Sequence, residues 1–246
     1  MARFVLVHGW WSDAEAWTMT AIRLRAAGHE VATPELPAHG TDPMPAVQVS
    51  LDNYADTTAK AAAGLGGPVV LVGHSMAGPV ISAVAEQDPN LIEHLVYLAG
   101  FLLPSGQTVV GFIQSSPGFA AGLLGPILRP ADGLLGVDRN RAREVFMADA
   151  PGGVADVALA RLRPAPAAPL LTPVWVTRDR WGRVPRSYVH TTADLALPLA
   201  SQLEMVACAP RLTGARRLAT GHLPMLSDPD GTATALIELT RPGAAG

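Results

Sequence analysis

Short apolar runs, each bounded by glycine, proline or a polar residue, recur through the first hundred positions of the chain. Phe4–Val7, Glu30–Thr33, Pro68–Val72 and His94–Ala99 have the length and side-chain character of strands. Between them lie helix-like segments: Ala14–Ala27, closed by Gly28, then Asn53–Gly64, then Met76–Gln87. Short apolar strands separated by helices predict a largely parallel sheet covered on both faces, an α/β fold.

The pattern changes after Gly100. Phe101 to Leu128 contains no Asp, Glu, Lys or Arg and is interrupted repeatedly by glycine and proline. Two short amphipathic segments follow, Arg139–Met147 and Val154–Leu162, and then the proline-rich stretch RPAPAAP. A long uncharged surface loop would leave apolar area in water, so 101–169 is expected to be a lid whose apolar side faces a pocket. Strand character resumes at Pro173–Thr177 and Ser187–Thr191, followed by a helix over Leu199–Ala207, a last strand near Arg217–Ala219 and a closing helix over Gly231–Leu239. The core is thus expected to comprise 1–100 and 170–246, with no second domain beyond the lid.

Composition narrows the class of function. The chain has 246 residues, 49% of them hydrophobic, which suits one sizeable core. Only 16% are charged and the net charge is −3, so neither nucleic acid nor an anionic membrane is an expected partner. No acidic side chain, lysine or arginine lies between Lys60 and Glu86, but glycines, prolines and a His-Ser pair break that stretch as a spanning helix. The apolar run at the N-terminus is too short for a signal-peptide core, and a cytoplasmic location is expected. Cys208 is the sole cysteine, so no intrachain disulfide can form, and it reads as a small buried hydrophobe. No His, Cys or carboxylate cluster has ligand spacing and no phosphate-binding glycine loop occurs, so neither metal nor cofactor is expected.

The stretch VVLVGHSMAG carries the chemistry. A serine at a sharp strand-to-helix turn projects its hydroxyl from the sheet, and the helix N-terminus behind it offers N–H groups to an oxyanion. Such a turn demands small flanking residues, supplied here by Gly73 before Ser75 and by Ala77 with Gly78 after it. The serine needs a base, and the order for this architecture is serine, acid, histidine. Of the downstream histidines, His190 sits inside the strand pattern SYVHTT and reads as structural, whereas His222 follows a glycine in a loop. His222 is the candidate base. Asp179, ending PVWVTRD, and Asp194, following YVHTTAD, both can emerge from strand ends, and spacing does not separate them.

FVLVHG, LPAHGTD, VVLVGHSMAG, LVYLAGFLLP and TGHLPMLSDP together resemble the α/β-hydrolase superfamily, in the branch of plant methylesterases, salicylate-binding esterases and hydroxynitrile lyases. The resemblance runs from Phe4 to Pro229 and is weakest over the lid. It implies Asp194 as the acid, because Tyr188-Val189, Asp194, Gln202 and Met205 follow the branch pattern. It also implies an oxyanion hole from the backbone N–H groups of Met76 and Trp10, the latter a position usually small in the branch. Hydroxynitrile lyases of the branch carry a threonine after the first-loop histidine and a lysine after the catalytic one. Gly9 and Leu223 stand there instead, and an apolar pocket would leave a departing cyanide uncompensated.

The expectation is a serine hydrolase acting on a small or aromatic carboxylic ester, a methyl ester among the candidates, through an acyl-enzyme. Two alternatives are kept: a non-hydrolytic lyase, cyclase or carbon–carbon bond-changing enzyme of secondary metabolism, and a ligand-binding protein without turnover. Gly9, Trp11, Phe101, Phe112, Met147 and Leu223 are the candidate pocket residues. The expected partner is an apolar or aromatic small molecule, and a homodimer is left open.

Overall fold

A computed structural model describes residues 1–120, 122–209 and 212–241. Its centre is a six-stranded parallel sheet of β1 (Arg3–Val7), β2 (Glu30–Ala32), β3 (Val69–His74), β4 (Ile92–Leu98), β5 (Arg186–Thr191) and β6 (Leu212–Leu218). Their spatial order is β2-β1-β3-β4-β5-β6. Every residue of β3 and β5 is buried, as a parallel strand covered on both faces requires.

The principal helices of the core are α1 (Thr18–Ala26), α2 (Leu51–Gly64), α3 (Ala77–Gln87), α4 (Leu199–Cys208) and α5 (Pro229–Leu239). The step from β1 to β2 runs outward in one direction, and those from β2 to β3 and β3 to β4 run in the other. Right-handed crossovers therefore put α1 on one face and α2 with α3 on the opposite face. The packing agrees: α1 lies against α5, and α2 against α3. Ser50 and Asn53 form a reciprocal capping box that fixes the start of α2. The reversal of direction between β1 and β3 leaves a crevice at their carboxyl ends, where ligands bind open α/β sheets.

Two readings of the sequence are corrected. Pro173–Thr177 is not a strand of the sheet. The open edge of β4 pairs with β5, and Leu95 lies opposite Arg186. Val174 instead exchanges backbone hydrogen bonds with Gly106 and Gln107. Val176 and Thr177 donate to the side chains of Ser105 and Glu86, and Trp175 is 69% exposed. Cys208, read as buried, is exposed at the last turn of α4. The segment over Ala14–Ala27 begins as a 3₁₀ turn, capped by the Asp13 carboxylate, before α1 proper.

The charge-free stretch after Gly100 is folded. It contains short helices at Val109–Ser115, Pro117–Ala120 and Leu124–Ile127, and Val109, Phe112, Phe119 and Ile127 are buried. A three-stranded antiparallel sheet follows, with Leu128–Ala131 and Leu134–Val137 joined by Asp132-Gly133. Both turn residues have positive φ (47° and 79°), the conformation a tight right-twisted hairpin needs. Helices Arg139–Met147 and Gly152–Arg161 complete the inserted segment.

Candidate active site

Ser75 stands between β3 and α3 with φ of 54°, a left-handed conformation costly for a non-glycine residue, by roughly 1–3 kcal/mol. Its neighbours explain how the turn fits. A Cβ on Gly73 would lie 2.7 Å from the Ala77 carbonyl oxygen, and one on Gly78 would lie 2.2 Å from that of Phe101. The small residue required after the serine is thus Gly78, and Ala77 is tolerated as the first residue of α3. Ser75 N–H donates to Leu98 O, and its own carbonyl accepts from Gly78 and Phe101.

His222 and Asp194 meet this serine. The Ser75 hydroxyl lies 3.0 Å from His222 Nε2, and His222 Nδ1 lies 2.8 Å from Asp194 Oδ2. All three residues are buried. With Nδ1–H donating to the carboxylate, Nε2 is left as an acceptor toward the serine hydroxyl. Asp194 is held tightly: Ala196 and Leu197 N–H donate to its Oδ1, and the Thr191 hydroxyl donates to Oδ2. Gln202 on α4 braces this loop, accepting from Thr191 N–H and donating to the Thr191 and Leu197 carbonyls. Asp179 is exposed in the turn that follows Pro173–Thr177, and it borders a different cleft with Trp181 and Arg183.

Gly9 and Trp10 follow β1, and Met76 precedes α3. Neither the Trp10 nor the Met76 N–H finds an acceptor within the protein among the described residues. Met76 also sits at the positive end of α3. A Cβ on Gly9 would come within 2.6 Å of His74 Nδ1 and 3.0 Å of Ser75 Cβ, so any larger residue there would displace the His74 ring.

Several contributors were not visible as such in the sequence. His74 is fully buried, and burial, then the nearby His222 ring, pushes its pKa well below the usual histidine range. Held neutral, it donates Nε2–H to the His222 carbonyl at 2.8 Å, anchoring the His222 backbone. Asp149, just beyond Met147, accepts from Gly221 N–H at 2.7 Å and steadies the same loop from the inserted segment. Beneath the first loop, His39 bonds the Ser12 carbonyl and Tyr54, and burial lowers its pKa to about 3. His190 lies buried in β5 against Tyr188, 4.5 Å between rings, with Nδ1 unpartnered.

Ser75 and His222 open into a cavity of about 350 Å³. Of the candidate pocket residues, Trp11, Met147 and Leu223 line it and Gly9 does not; Trp10, Phe146, Val154, Val157, Leu162 and Leu226 also line it. Phe101 and Phe112 do not. They pack edge to face on each other at 6.1 Å, and both are core residues. At one end of the cavity Arg161 donates to the buried Asp13 carboxylate at 2.8 Å, with Glu15 beside them.

The fold agrees with the comparisons. Residues 4–235 match the model of the alpha/beta hydrolase family, and the chain belongs to that family. Among curated relatives, it is 27% identical over 241 residues to a pyrethroid hydrolase of Sphingobium wenxiniae, covering 95% of this chain and 86% of that one. Methylesterase 7 of Arabidopsis thaliana is 26% identical over 251 residues, covering 96% and 95%. Longer Arabidopsis relatives are matched over 64% and 56% of their lengths. Among solved structures, a pyrethroid hydrolase from Sphingobium faniae superposes with a TM-score of 0.90 at 27% identity, covering 99% of this chain and 98% of that one.

Proposed function

We propose that the chain is a carboxylic ester hydrolase in which Ser75, His222 and Asp194 form the catalytic triad. The observation that carries this reading is the unbroken hydrogen-bond line Ser75–His222–Asp194, at 3.0 and 2.8 Å, at the floor of an apolar cavity. The kinship with a pyrethroid hydrolase and a methylesterase supports ester cleavage over lyase chemistry or binding without turnover. Leu223 adds to this, since it puts no cation where a departing cyanide would need one.

His222 takes the Ser75 proton as the hydroxyl oxygen attacks the ester carbonyl. Asp194 holds the imidazole in its tautomer and stabilises the imidazolium, while the Trp10 and Met76 N–H groups receive the oxyanion. The tetrahedral intermediate collapses to the acyl-enzyme, and His222 returns the proton to the leaving alcohol. Water, activated by the same imidazole, then releases the acid and regenerates Ser75.

The cavity selects neutral esters. Arg161 and Asp13 offset each other, so Glu15 leaves that end with a net negative charge. An ester bearing a free carboxylate would meet repulsion and lose its hydration without compensation. Residues 101–169 serve as a lid, since Phe146, Met147, Val154, Val157 and Leu162 close the cavity over the triad. No helix among the described residues is long and apolar enough to cross a membrane. In a panel of aryl and methyl esters, neutral members are expected to turn over, with carboxylate-bearing analogues at least about 10-fold lower in kcat/KM. No turnover of any neutral ester would overturn the hydrolase reading, and equal turnover of both kinds would overturn the charge selection.

A further inference from the structure

The inserted segment grips the loops of the site at three points: Asp149 on Gly221, Arg161 on Asp13, and Leu135 on Trp11. The third has the most direct consequence. Trp11 has φ of 59°, left-handed backbone that a bulky side chain adopts only when its surroundings impose it. The residue before it is Trp10, whose N–H has no acceptor within the protein among the described residues and is the second oxyanion donor proposed above. What imposes the conformation is visible. The Trp11 indole N–H donates to the Leu135 carbonyl at 2.7 Å, across 124 residues of chain, and Leu135 lies in the antiparallel hairpin of the insertion. The indole is also stacked on Trp10, 4.8 Å between rings at 20°, and tilted against Phe146 at 5.5 Å. Only 6% of the residue is exposed.

We infer that Trp11 is a positioning residue, and that its bond to Leu135 ties the inserted hairpin to the peptide presenting the Trp10 N–H to the oxyanion. This rests on the hydrolase reading above. The hairpin then does more than cover substrate, because its docking sets one of the two oxyanion donors. Without the bond, the strained backbone at Trp11 is free to relax and carries the Trp10 N–H away from its aim. Ground-state binding, made mainly by the cavity walls, changes little, so the loss falls on the transition state.

The test compares wild type with Trp11→Phe and with benzothienylalanine at position 11, an isostere of tryptophan that lacks the N–H. Both are assayed on the best neutral ester, and for inhibition by an aryl trifluoromethyl ketone that captures Ser75 as a tetrahedral oxyanion. The expected result is a kcat lower by about 10-fold or more, a matching loss of affinity for the ketone, and KM within about threefold. Unchanged kcat in the isostere, a rise in KM alone, or a fall in kcat with ketone affinity intact would each overturn the inference. Should Trp11→Phe fail to fold, the isostere decides alone, since its ring shape is retained. Wild type inert toward every ester, or Ser75→Ala as active as wild type, would instead sink the hydrolase reading itself.

Discussion

Ser75→Ala is expected to lower kcat/KM for the best neutral ester by about 10⁵-fold while leaving the fold in place. The alanine keeps the Cβ that the turn already accommodates, and the backbone bonds of Ser75 to Leu98, Gly78 and Phe101 do not involve the hydroxyl. The thermal midpoint should therefore stay within a few degrees of wild type. Ester binding should survive as well, because the cavity walls are unchanged. The residual rate would come from the oxyanion donors and from His222 acting on water. Steady-state kinetics beside a thermal melt separates the outcomes. A variant that retains more than about 1% of activity would place the nucleophile elsewhere.

Asp194→Asn is expected to cost about 10⁴-fold in kcat, and the reason can be followed atom by atom. Oδ1 of Asp194 accepts from the Ala196 and Leu197 N–H groups, whereas Oδ2 faces His222 and the Thr191 hydroxyl. An asparagine keeps its carbonyl oxygen toward the two N–H donors, which leaves its NH₂ pointing at His222 Nδ1. Nδ1 must then accept, the proton moves to Nε2, and the nitrogen facing Ser75 can no longer take a proton. The loss thus comes from the wrong tautomer rather than from lost structure. Substrate affinity, read as Kd, should stay within a few-fold. An Asp179→Asn control, altered in an exposed turn, is expected to match wild type. If the two variants exchanged roles, the assignment of the acid would fail.

How much of this was legible varied with the kind of interaction that fixes each element. β1, β3 and β4 are buried on both faces and read directly as apolar runs. The strand-to-helix turn at Ser75 was legible because its requirements are local: a strand end, a serine and small neighbours. The place of Asp194 came through a pattern whose physical basis is now plain, since Gln202 braces Thr191 and Leu197, which in turn bond the acid.

PVWVT misled because its alternation is genuine but its pairing is not with the sheet. Val174 is buried and Trp175 exposed, yet the hydrogen-bond partners are 106–107 and the Ser105 and Glu86 side chains. No local pattern distinguishes an extended segment with such partners from a strand. Phe101 and Phe112 are apolar in either setting, so only the packing tells core from pocket wall. The contacts of His74 with the His222 carbonyl, of Asp149 with Gly221 and of Trp11 with Leu135 join residues 72 or more positions apart. Such pairs leave no trace in spacing.

Covalent capture reads directly whether Ser75 is a nucleophile activated by His222. Wild-type protein treated with an aryl fluorophosphonate should gain the mass of one phosphonyl group, located on the peptide carrying Ser75. His222→Ala, in which the serine lacks its base, should label far more slowly. No adduct in wild type, or an adduct on another residue, would contradict the account.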